Sequence, residues 1–455
     1  MSSSGPTLPN PRTAFASSFQ KVLNVLGMPL LAILAAFLLG GLVIWVTSGS
    51  LITVFQAYSG MLEGAFFKER GLSETLVSTI PYIFLSLALA VGFKTGLFNI
   101  GADGQFYIGA ITGALVGQAF SNLPAIIHLP LTLVSAAVGG AIWAGIPGFL
   151  KARTGAHEVV TTIMMNYIAY RLTELLVTIF KDPNTTAIQT RGSAPSAWIW
   201  SLYSLPQRLQ DPLNALGTAL FLGLLSYLLA RWVIGRTSLK NRFKSHSQKR
   251  LVYSGFALLI GLLTFFLLPV FSKILWPFTD PYDRLHIGLF LALLASILIW
   301  WLLWKTTLGF ELRTVGANPY AARYAGMNIT RNIVLAMAIS GALAAIAGSI
   351  QVLGVSSCHC QQVLFTPGLG FDAIAIALLA KNDPFGILAA AFLFGAMHNG
   401  SSLMEINSGV SHYVVSLIQG FALLFVAAPA ILRSVIWFRN QRAKTEDPAV
   451  RRSGG

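Results

Sequence analysis

The sequence has very few charged residues. Only 10% of its 455 residues are Asp, Glu, Lys or Arg, whereas 55% are hydrophobic. A soluble globular domain carries about 25% charged residues, so this composition excludes an ordinary soluble protein. Acidic residues are the scarcer kind, since 16 of them stand against 31 Lys and Arg. In a membrane protein such an excess reflects the preference of basic residues for cytoplasmic loops, and we expect no nucleic-acid partner.

Motifs for common chemistry are absent as well. The sequence contains no Gly-Lys dipeptide, which excludes the phosphate-binding P-loop of ATP-hydrolysing subunits. It contains neither an HExxH zinc-protease motif nor a GxSxG hydrolase motif. The two cysteines, Cys358 and Cys360, flank His359, but consecutive ligands rarely close a tetrahedral zinc site, so we expect a packing or incidental role. We therefore expect no enzyme, no catalytic residue, no metal and no cofactor.

Long apolar runs are what the sequence has in abundance. A helix needs about 20 mostly apolar residues to cross the hydrocarbon core of a bilayer. Uniform runs are Met28–Thr47, Pro124–Leu150, Pro212–Ala230, Leu251–Ser272, Leu285–Trp304, Asn332–Ser357 and His412–Leu432. Runs with polar interruptions are Leu76–Phe93, Leu97–Gln118 and Glu158–Phe180. Because backbone polar groups cannot stay unpaired in lipid, the sequence predicts an all-α, polytopic transmembrane helical bundle of about ten full spans.

Basic residues predict how these spans are oriented. Lys and Arg prefer cytoplasmic loops, which places the N-terminal tail, 1–27, inside the cell. Counting spans through the membrane domain, 28–432, brings the basic tail 433–455 to the same side, so both termini are expected to be cytoplasmic. A polar turn splits Phe371–His398 into two pieces that are too short to span, which predicts one short broken hairpin there.

Gly-rich segments broken by polar residues occur once in each half, at Lys94–Gln105 and at Pro367–Pro384. Paired interruptions of this kind are typical of a solute path near the middle of the membrane. In the first segment, Asn99, Asp103 and Gln105 bring polar groups to membrane depth, where burial is costly unless they are paired or wet. They either line a path or satisfy one another where glycines let two helices approach closely.

Two further polar residues belong to the same question. Asn166 lies in the middle of the span Glu158–Phe180. Asp372 follows a glycine-rich turn and opens a helix, where an acid interacts favourably with the helix dipole. The same carboxylate equally suits the wall of a solute path, and the residue pattern alone does not separate these two roles.

A short exposed helix is predicted in the basic loop 306–331. Asn318 precedes Pro319, which suits a helix N-cap followed by proline at the first helical position. Gly326 then suits the end of the helix. Such a helix either docks into the groove of a partner protein or is an ordinary connecting turn.

Four segments carry a family resemblance, in the same order as in the family. They are GLFNIGADGQ at Gly96–Gln105, HEVVTTIMMNYIA at His157–Ala169, GFELRTVGANPYAARYAGMNITRN at Gly309–Asn332 and TPGLGFDAIAIALLAKNDPFG at Thr366–Gly386. The sequence thereby resembles the permease subunits of bacterial ABC importers, in the nucleoside and simple-sugar branch related to branched-chain amino acid permeases. Relative to that family, 212–281 looks like an insertion, and the family often has Glu where Asp103 stands.

The resemblance implies a subunit of the bacterial plasma membrane that pairs with itself or with a sibling permease. Its other implied partners are cytoplasmic ABC ATPase subunits, an extracytoplasmic solute-binding lipoprotein and membrane lipid. The residues it implies for ATPase coupling are Asn318, Ala321, Ala322, Arg323 and Gly326. The candidates for the substrate pathway are Asn99, Asp103, Gln105 and Asn166, with Asp372 added from its position in the sequence.

The expected function is ATP-driven import of a small polar solute, a nucleoside or a simple sugar, by alternating access. The ATP would be hydrolysed on a separate chain. An importer of branched-chain amino acids is one alternative. Another is a secondary transporter driven by an ion gradient, which should carry acids in several spans, whereas acids in mid-span are few here. A membrane-embedded enzyme would need clustered His and acids, and the seven His residues are scattered.

Overall fold

The computed structural model describes residues 31–236, 245–274, 278–363 and 368–426, and its regular structure is helical. The first half contains α1 Leu31–Ser48, α2 Leu51–Leu62, α3 Gly71–Lys94, α4 Ala102–Ala119, α5 Ala125–Thr154, α6 Glu158–Ile179, the single turn α7 Leu205–Arg208 and α8 Pro212–Arg236. The second half contains α9 His246–Ile274, α10 Gly288–Lys305, α11 Thr307–Ala317, α12 Pro319–Tyr324, α13 Ile329–Ile350, α14 Leu369–Leu379, α15 Pro384–Ser408 and α16 Tyr413–Val426.

Eight of the described helices are long and apolar enough to cross a membrane, namely α1, α3, α5, α8, α9, α10, α13 with its following turn, and α15. The predicted all-α membrane bundle is therefore confirmed. The helices α4 and α6 carry the polar interruptions noted in the sequence, and α16 is described only as far as Val426. The tails 1–27 and 433–455 lie outside the described residues, and the orientation of both termini stays a prediction.

The predicted short hairpin at Phe371–His398 is wrong in its second half. The first piece is indeed short, because α14 has 11 residues, but α15 has 25 residues and continues to Ser408. The polar residues after Met397 looked like the end of a span. Instead the Asn399 amide donates to the carbonyl oxygens of Gly64 (3.2 Å) and Gly71 (2.9 Å), so a polar residue is accommodated within the helix. The span predicted at Leu97–Gln118 also begins later, since α4 starts at Ala102.

The centre of the bundle is α13, which packs along α3, α4 and α5. Its contact with α4 depends on a glycine, because a Cβ atom at Gly348 would lie 1.9 Å from the Phe106 carbonyl oxygen. Small residues let helix backbones approach closely in this way, and close backbone packing drives helix association where the hydrophobic effect is weak. The polar groups of the α3–α4 connection are therefore held between three closely packed helices.

The helices α8 and α9, which lie in the segment predicted to be an insertion, pack mainly against each other, with smaller contacts to α5 and α7. Small residues bring them together, since a Cβ atom at Gly223 would lie 3.0 Å from the Ala257 carbonyl oxygen. The outer faces carry exposed Leu and Phe side chains such as Leu258 and Phe266. An apolar face of this kind suits contact with lipid tails.

The expectation of a packing or incidental role for the cysteines needs correction, because Cys358 and Cys360 form a disulfide with each other. Between them, the His359 ring stacks on Trp198 with 3.9 Å between ring centroids. The His359 carbonyl oxygen also accepts a hydrogen bond from the Ser193 amide at 2.9 Å. The disulfide thus lies where the loop after α6 meets the loop after α13. Counting spans from a cytoplasmic N-terminus predicts that both loops are external, and disulfides persist in oxidising compartments, which supports that prediction.

Candidate functional site

The two polar-broken segments of the sequence meet inside the bundle. The Asp103 carboxylate, at the start of α4, accepts hydrogen bonds from the Gly370 amide at 2.8 Å and from the Gly368 amide at 3.5 Å. The Tyr170 hydroxyl of α6 donates to the same carboxylate at 2.6 Å. Asp103 is fully buried, which is costly for a carboxylate. The three donors and the helix dipole of α14 compensate for this cost. One acid therefore joins α4, α6 and the start of α14.

This joint requires glycine at position 370. A Cβ atom there would lie 2.5 Å from the Asp103 backbone nitrogen and 2.7 Å from the Asp103 Cβ. Both are closer than non-bonded atoms can approach, so any larger residue would separate α4 from α14. Glycine in the segment Pro367–Pro384 thus allows its backbone to approach the segment Lys94–Gln105 closely.

A pair of side-chain amides holds the non-helical segment between α3 and α4. Asn99 donates to the Gln105 side-chain oxygen at 2.9 Å, and Gln105 donates back to the Asn99 side-chain oxygen at 3.1 Å. The Asn99 amide nitrogen also reaches the Ser340 hydroxyl of α13 at 2.9 Å, and that hydroxyl donates to the Ala88 carbonyl of α3 at 2.7 Å. This network ties the segment to α3 and α13.

Asn166 forms hydrogen bonds with backbone groups at the non-helical segment between α3 and α4, where these groups lack helical partners. Its side-chain oxygen accepts from the Gly104 amide at 2.9 Å, and its side-chain nitrogen donates to the Ile100 carbonyl at 3.0 Å. Like Asn99, Asp103 and Gln105, it is no more than 2% exposed. All four side chains find hydrogen-bond partners within the chain: Asn99 and Gln105 bond each other, whereas Asp103 and Asn166 bond other residues. Their assignment to the substrate pathway stays a prediction. Removing one partner would leave a buried donor or acceptor unsatisfied, at a cost of about 1–3 kcal/mol for each group.

Asp372 has a different environment from the other four candidates. It is half-buried, and the Tyr82 hydroxyl donates to its carboxylate at 3.0 Å. The Tyr82 ring contacts His398 of α15 edge-on, with 6.2 Å between ring centroids. His398 is exposed in the single chain. Asp372 is therefore the one candidate of the five that is not fully buried in the chain.

Sequence reasoning missed the hydrogen-bond partners of these candidates. Tyr82 and Ser340 lie inside apolar spans and gave no signal beyond membership of a helix. Tyr170 follows Asn166 by one helical turn, which is the spacing that puts both on one face, so this signal could have been used. His398 is an ionisable residue at the end of an apolar run, which is a signal for a functional site, but the predicted hairpin ended at this residue and the signal was not used.

The predicted short helix after Asn318 is present as α12. The Asn318 side-chain oxygen accepts from the amides of Tyr320 (3.0 Å) and Ala321 (3.1 Å), which confirms the N-cap. Gly326 follows with a φ of +77°, a left-handed conformation that suits glycine. Ala322 is fully buried in the single chain, and its role in ATPase coupling stays a prediction.

The exposed face of α12 is aromatic. Tyr320 and Tyr324 are 77% and 94% exposed, and their spacing of four residues puts them on one side of the helix. Ala321 and Arg323 are exposed beside them. The two exposed rings therefore give this short helix an aromatic outer face.

A glycine contact connects this helix to the broken segment. Gly316 lies near the end of α11, two residues before Asn318, and a Cβ atom on it would lie 2.4 Å from the Lys94 carbonyl oxygen. Gly96, with a φ of +75°, lies against Gly316, since its own added Cβ would be 3.2 Å from the Gly316 Cα. The end of α11 thus packs on the backbone that leads from α3 to Asn99.

Among the residues that the structure describes, no group of three or more His, Cys, Asp or Glu side chains is placed to hold a metal ion. The polar groups of the site are amides, hydroxyls and two carboxylates, Asp103 and Asp372. Such groups can bind, orient and move with a polar solute, and they include no activated nucleophile.

The sequence is similar to those of known transport proteins. Residues 71–427 match the family described as "Branched-chain amino acid transport system / permease component". The chain is 36% identical over 416 residues to the guanosine ABC transporter permease protein of Bacillus subtilis, covering 91% of this chain and 97% of that one. It is 30% identical to the glucose ABC transporter permease protein of Haloferax volcanii, over 88% and 86% of the two chains. It is 28% identical to a nucleoside ABC transporter permease protein of Lactococcus lactis, over 90% and 92%. No solved structure matches.

Proposed function

Because the chain belongs to the family of branched-chain amino acid transport permeases, we propose that it imports a nucleoside as a membrane subunit of an ATP-driven transporter. The observation that carries the solute class is the identity of 36% to a guanosine permease across nearly the full length of both chains. A nucleoside permease from another organism covers a similar share. The relative named for glucose is less similar than the guanosine permease, so a nucleoside is favoured over a simple sugar.

The solute assignment has a direct test in proteoliposomes that contain the chain and its partner subunits. With ATP on the side of the membrane that carries the ATPase subunits, labelled guanosine is expected to cross the membrane towards that side. Excess unlabelled inosine should compete with it, whereas excess glucose should not. Competition by glucose and not by inosine would transfer the assignment to simple sugars, and competition by leucine would transfer it to branched-chain amino acids.

Partner subunits supply what this chain lacks. With no P-loop in the sequence, ATP hydrolysis belongs to cytoplasmic ABC ATPase subunits. A second permease, which is a sibling or another copy of this chain, completes the membrane part. An extracytoplasmic lipoprotein selects the solute, so the path itself needs only to accept a small polar molecule.

The ATPase subunits are proposed to bind α12 through Tyr320 and Tyr324. Aromatic side chains are frequent anchors of protein interfaces because they bury a large area with little loss of side-chain freedom. Asn318 and Gly326 fix the two ends of the helix, and Ala321 and Arg323 lie on its exposed surface. Ala322 supports the helix from the inside.

Changing both tyrosines to serine is expected to weaken ATPase binding at least tenfold. Each ring would lose its burial in the partner, and a tenfold loss corresponds to about 1.4 kcal/mol. The helix itself should survive, because Asn318 caps it through backbone amides. Co-purification of the ATPase subunit with the solubilised permease measures the effect. The matched control is the double change to phenylalanine, which keeps both rings and should keep binding. Equal binding by the serine and phenylalanine variants would place the docking surface elsewhere.

For the transport cycle we propose alternating access driven by the ATPase. ATP binding closes the ATPase subunits and moves α12, and the different affinity of the two states for ATP supplies the driving force. From α12 the movement passes along α11 to the contact between Gly316 and Gly96, and then to Asn99 and Asp103. Asp103 carries it to α14, which moves Asp372 at the solute path. Asn99, Asp103, Gln105 and Asn166 thus act as a moving joint behind the path, with Asp372 facing it.

A further inference from the structure

One face of α15 is polar although the helix is long enough to span a membrane. His398, Ser402 and Glu405 are spaced by four and three residues, which aligns them along one side of the helix. All three are exposed in the single chain. Of the eight helices that are long and apolar enough to span, α15 is the least apolar.

Lipid cannot be the neighbour of this polar face. An ionisable side chain against hydrocarbon costs about 2.5 kcal/mol or more, so such residues face a protein interior or water. By contrast, α5 and α9 expose large apolar side chains such as Ile142 (65% exposed) and Leu258 (66% exposed). Apolar faces of this kind suit lipid, whereas the polar face of α15 does not.

The polar face leads to the cluster at Asp372. His398 lies ten residues from the end of α15, a depth of about 15 Å at the helical rise. There the Tyr82 ring contacts His398 edge-on, and the Tyr82 hydroxyl donates to Asp372 at 3.0 Å. The ring nitrogens of His398 make no hydrogen bond to any residue in the described part of the chain. At the outer end, Glu405 accepts from or shares a proton with His412 at 2.8 Å.

We propose that His398, Ser402 and Glu405 form this chain's wall of the aqueous solute path, and that His398 and Asp372 contact the solute near mid-membrane. A carboxylate accepts hydrogen bonds from hydroxyl and N–H groups, and an imidazole both donates and accepts. An uncharged solute with hydroxyl and N–H groups fits this pair. That choice of solute rests on the proposed function, whereas the assignment of His398, Ser402 and Glu405 to the wall of the aqueous path does not.

Cysteine accessibility tests the wall in the assembled transporter. Both native cysteines are joined in a disulfide, so a thiol-specific reagent meets only an introduced cysteine. Single changes Ser402→Cys and His398→Cys are compared with Ile142→Cys, at an exposed apolar position of α5. Ser402→Cys is nearly isosteric and serves as the variant least able to disturb folding. A charged, membrane-impermeant methanethiosulfonate reagent reacts in water and not in hydrocarbon.

Modification at positions 398 and 402 is expected to be at least ten times faster than at position 142. Rates at all three positions that agree within a factor of two would overturn the wall. Millimolar guanosine should slow modification at position 398 at least threefold. Fast modification without protection by guanosine would overturn the contact with a nucleoside while the wall stands. ATP-driven guanosine uptake in the unmodified transporter separates that outcome from a failure of the proposed function.

Discussion

Asp103→Ala is expected to abolish solute uptake and to lower the stability of the purified chain by about 3 kcal/mol. The change removes the acceptor for the Tyr170 hydroxyl and for the Gly370 amide, at 2.6 and 2.8 Å. The Gly370 amide is buried and Tyr170 is half-buried, so water replaces the lost carboxylate poorly, above all at the Gly370 amide. The shift in apparent melting temperature of the detergent-solubilised chain measures the loss of stability, and proteoliposomes measure uptake.

Two milder changes test whether the lost hydrogen bonds of Asp103 cause the loss of stability and uptake. Tyr170→Phe removes one donor to the carboxylate and should cost about 1 kcal/mol, because the other two donors remain. Asp103→Asn keeps the shape and one acceptor oxygen, so its effect should lie between those of Tyr170→Phe and Asp103→Ala. If Asp103→Ala changed the choice of solute and left the melting temperature unchanged, the carboxylate would face the path and the joint would be incorrectly assigned.

Gly316→Ala is expected to reduce ATP-driven uptake at least tenfold while the ATPase subunit stays bound. An added Cβ would lie 2.4 Å from the Lys94 carbonyl oxygen and 2.7 Å from the Thr95 carbonyl carbon, so α11 must shift away from α3. The docking face of α12 is untouched by this change. Transport should therefore be lost through transmission and not through binding.

Gly145→Ala is the matched control, because Gly145 is also helical and a Cβ atom on it meets nothing within 4 Å. Alanine favours a helix over glycine by about 1 kcal/mol, so helix propensity cannot explain a loss at either position. Uptake by the Gly145 variant should match that of the unchanged chain. Normal uptake by the Gly316 variant would remove the contact with Gly96 from the proposed route of movement.

The general architecture could be predicted because the lipid environment imposes it. Apolar runs of sufficient length must be helical, and the predicted runs correspond within a few residues to the observed helices α3 and α5 and to α13 with its following turn. The ends of α12 were also predictable. Asn318, Pro319 and Gly326 act locally, through a side-chain cap, a fixed φ and a left-handed turn, so no tertiary information was needed.

The parts that could not be predicted depend on partners distant in sequence. Asp103 is separated from Gly370 by most of the chain, and a sequence pattern does not state which buried acid meets which backbone amide. His398 was interpreted as the end of a span, although Asn399 beside it is paired with α3 and its preceding turn. The disulfide between Cys358 and Cys360 encloses a single residue, a spacing that sequence rules for disulfide frameworks do not cover.

The most direct test of the account is the energy source of guanosine uptake. Proteoliposomes are prepared with the chain alone, or with its ATPase subunits, its permease partner and the loaded binding protein. The account predicts uptake only in the complete assembly, dependent on ATP hydrolysis and unchanged when proton and sodium gradients are collapsed. Uptake by the chain alone, driven by an ion gradient and indifferent to ATP, would contradict it.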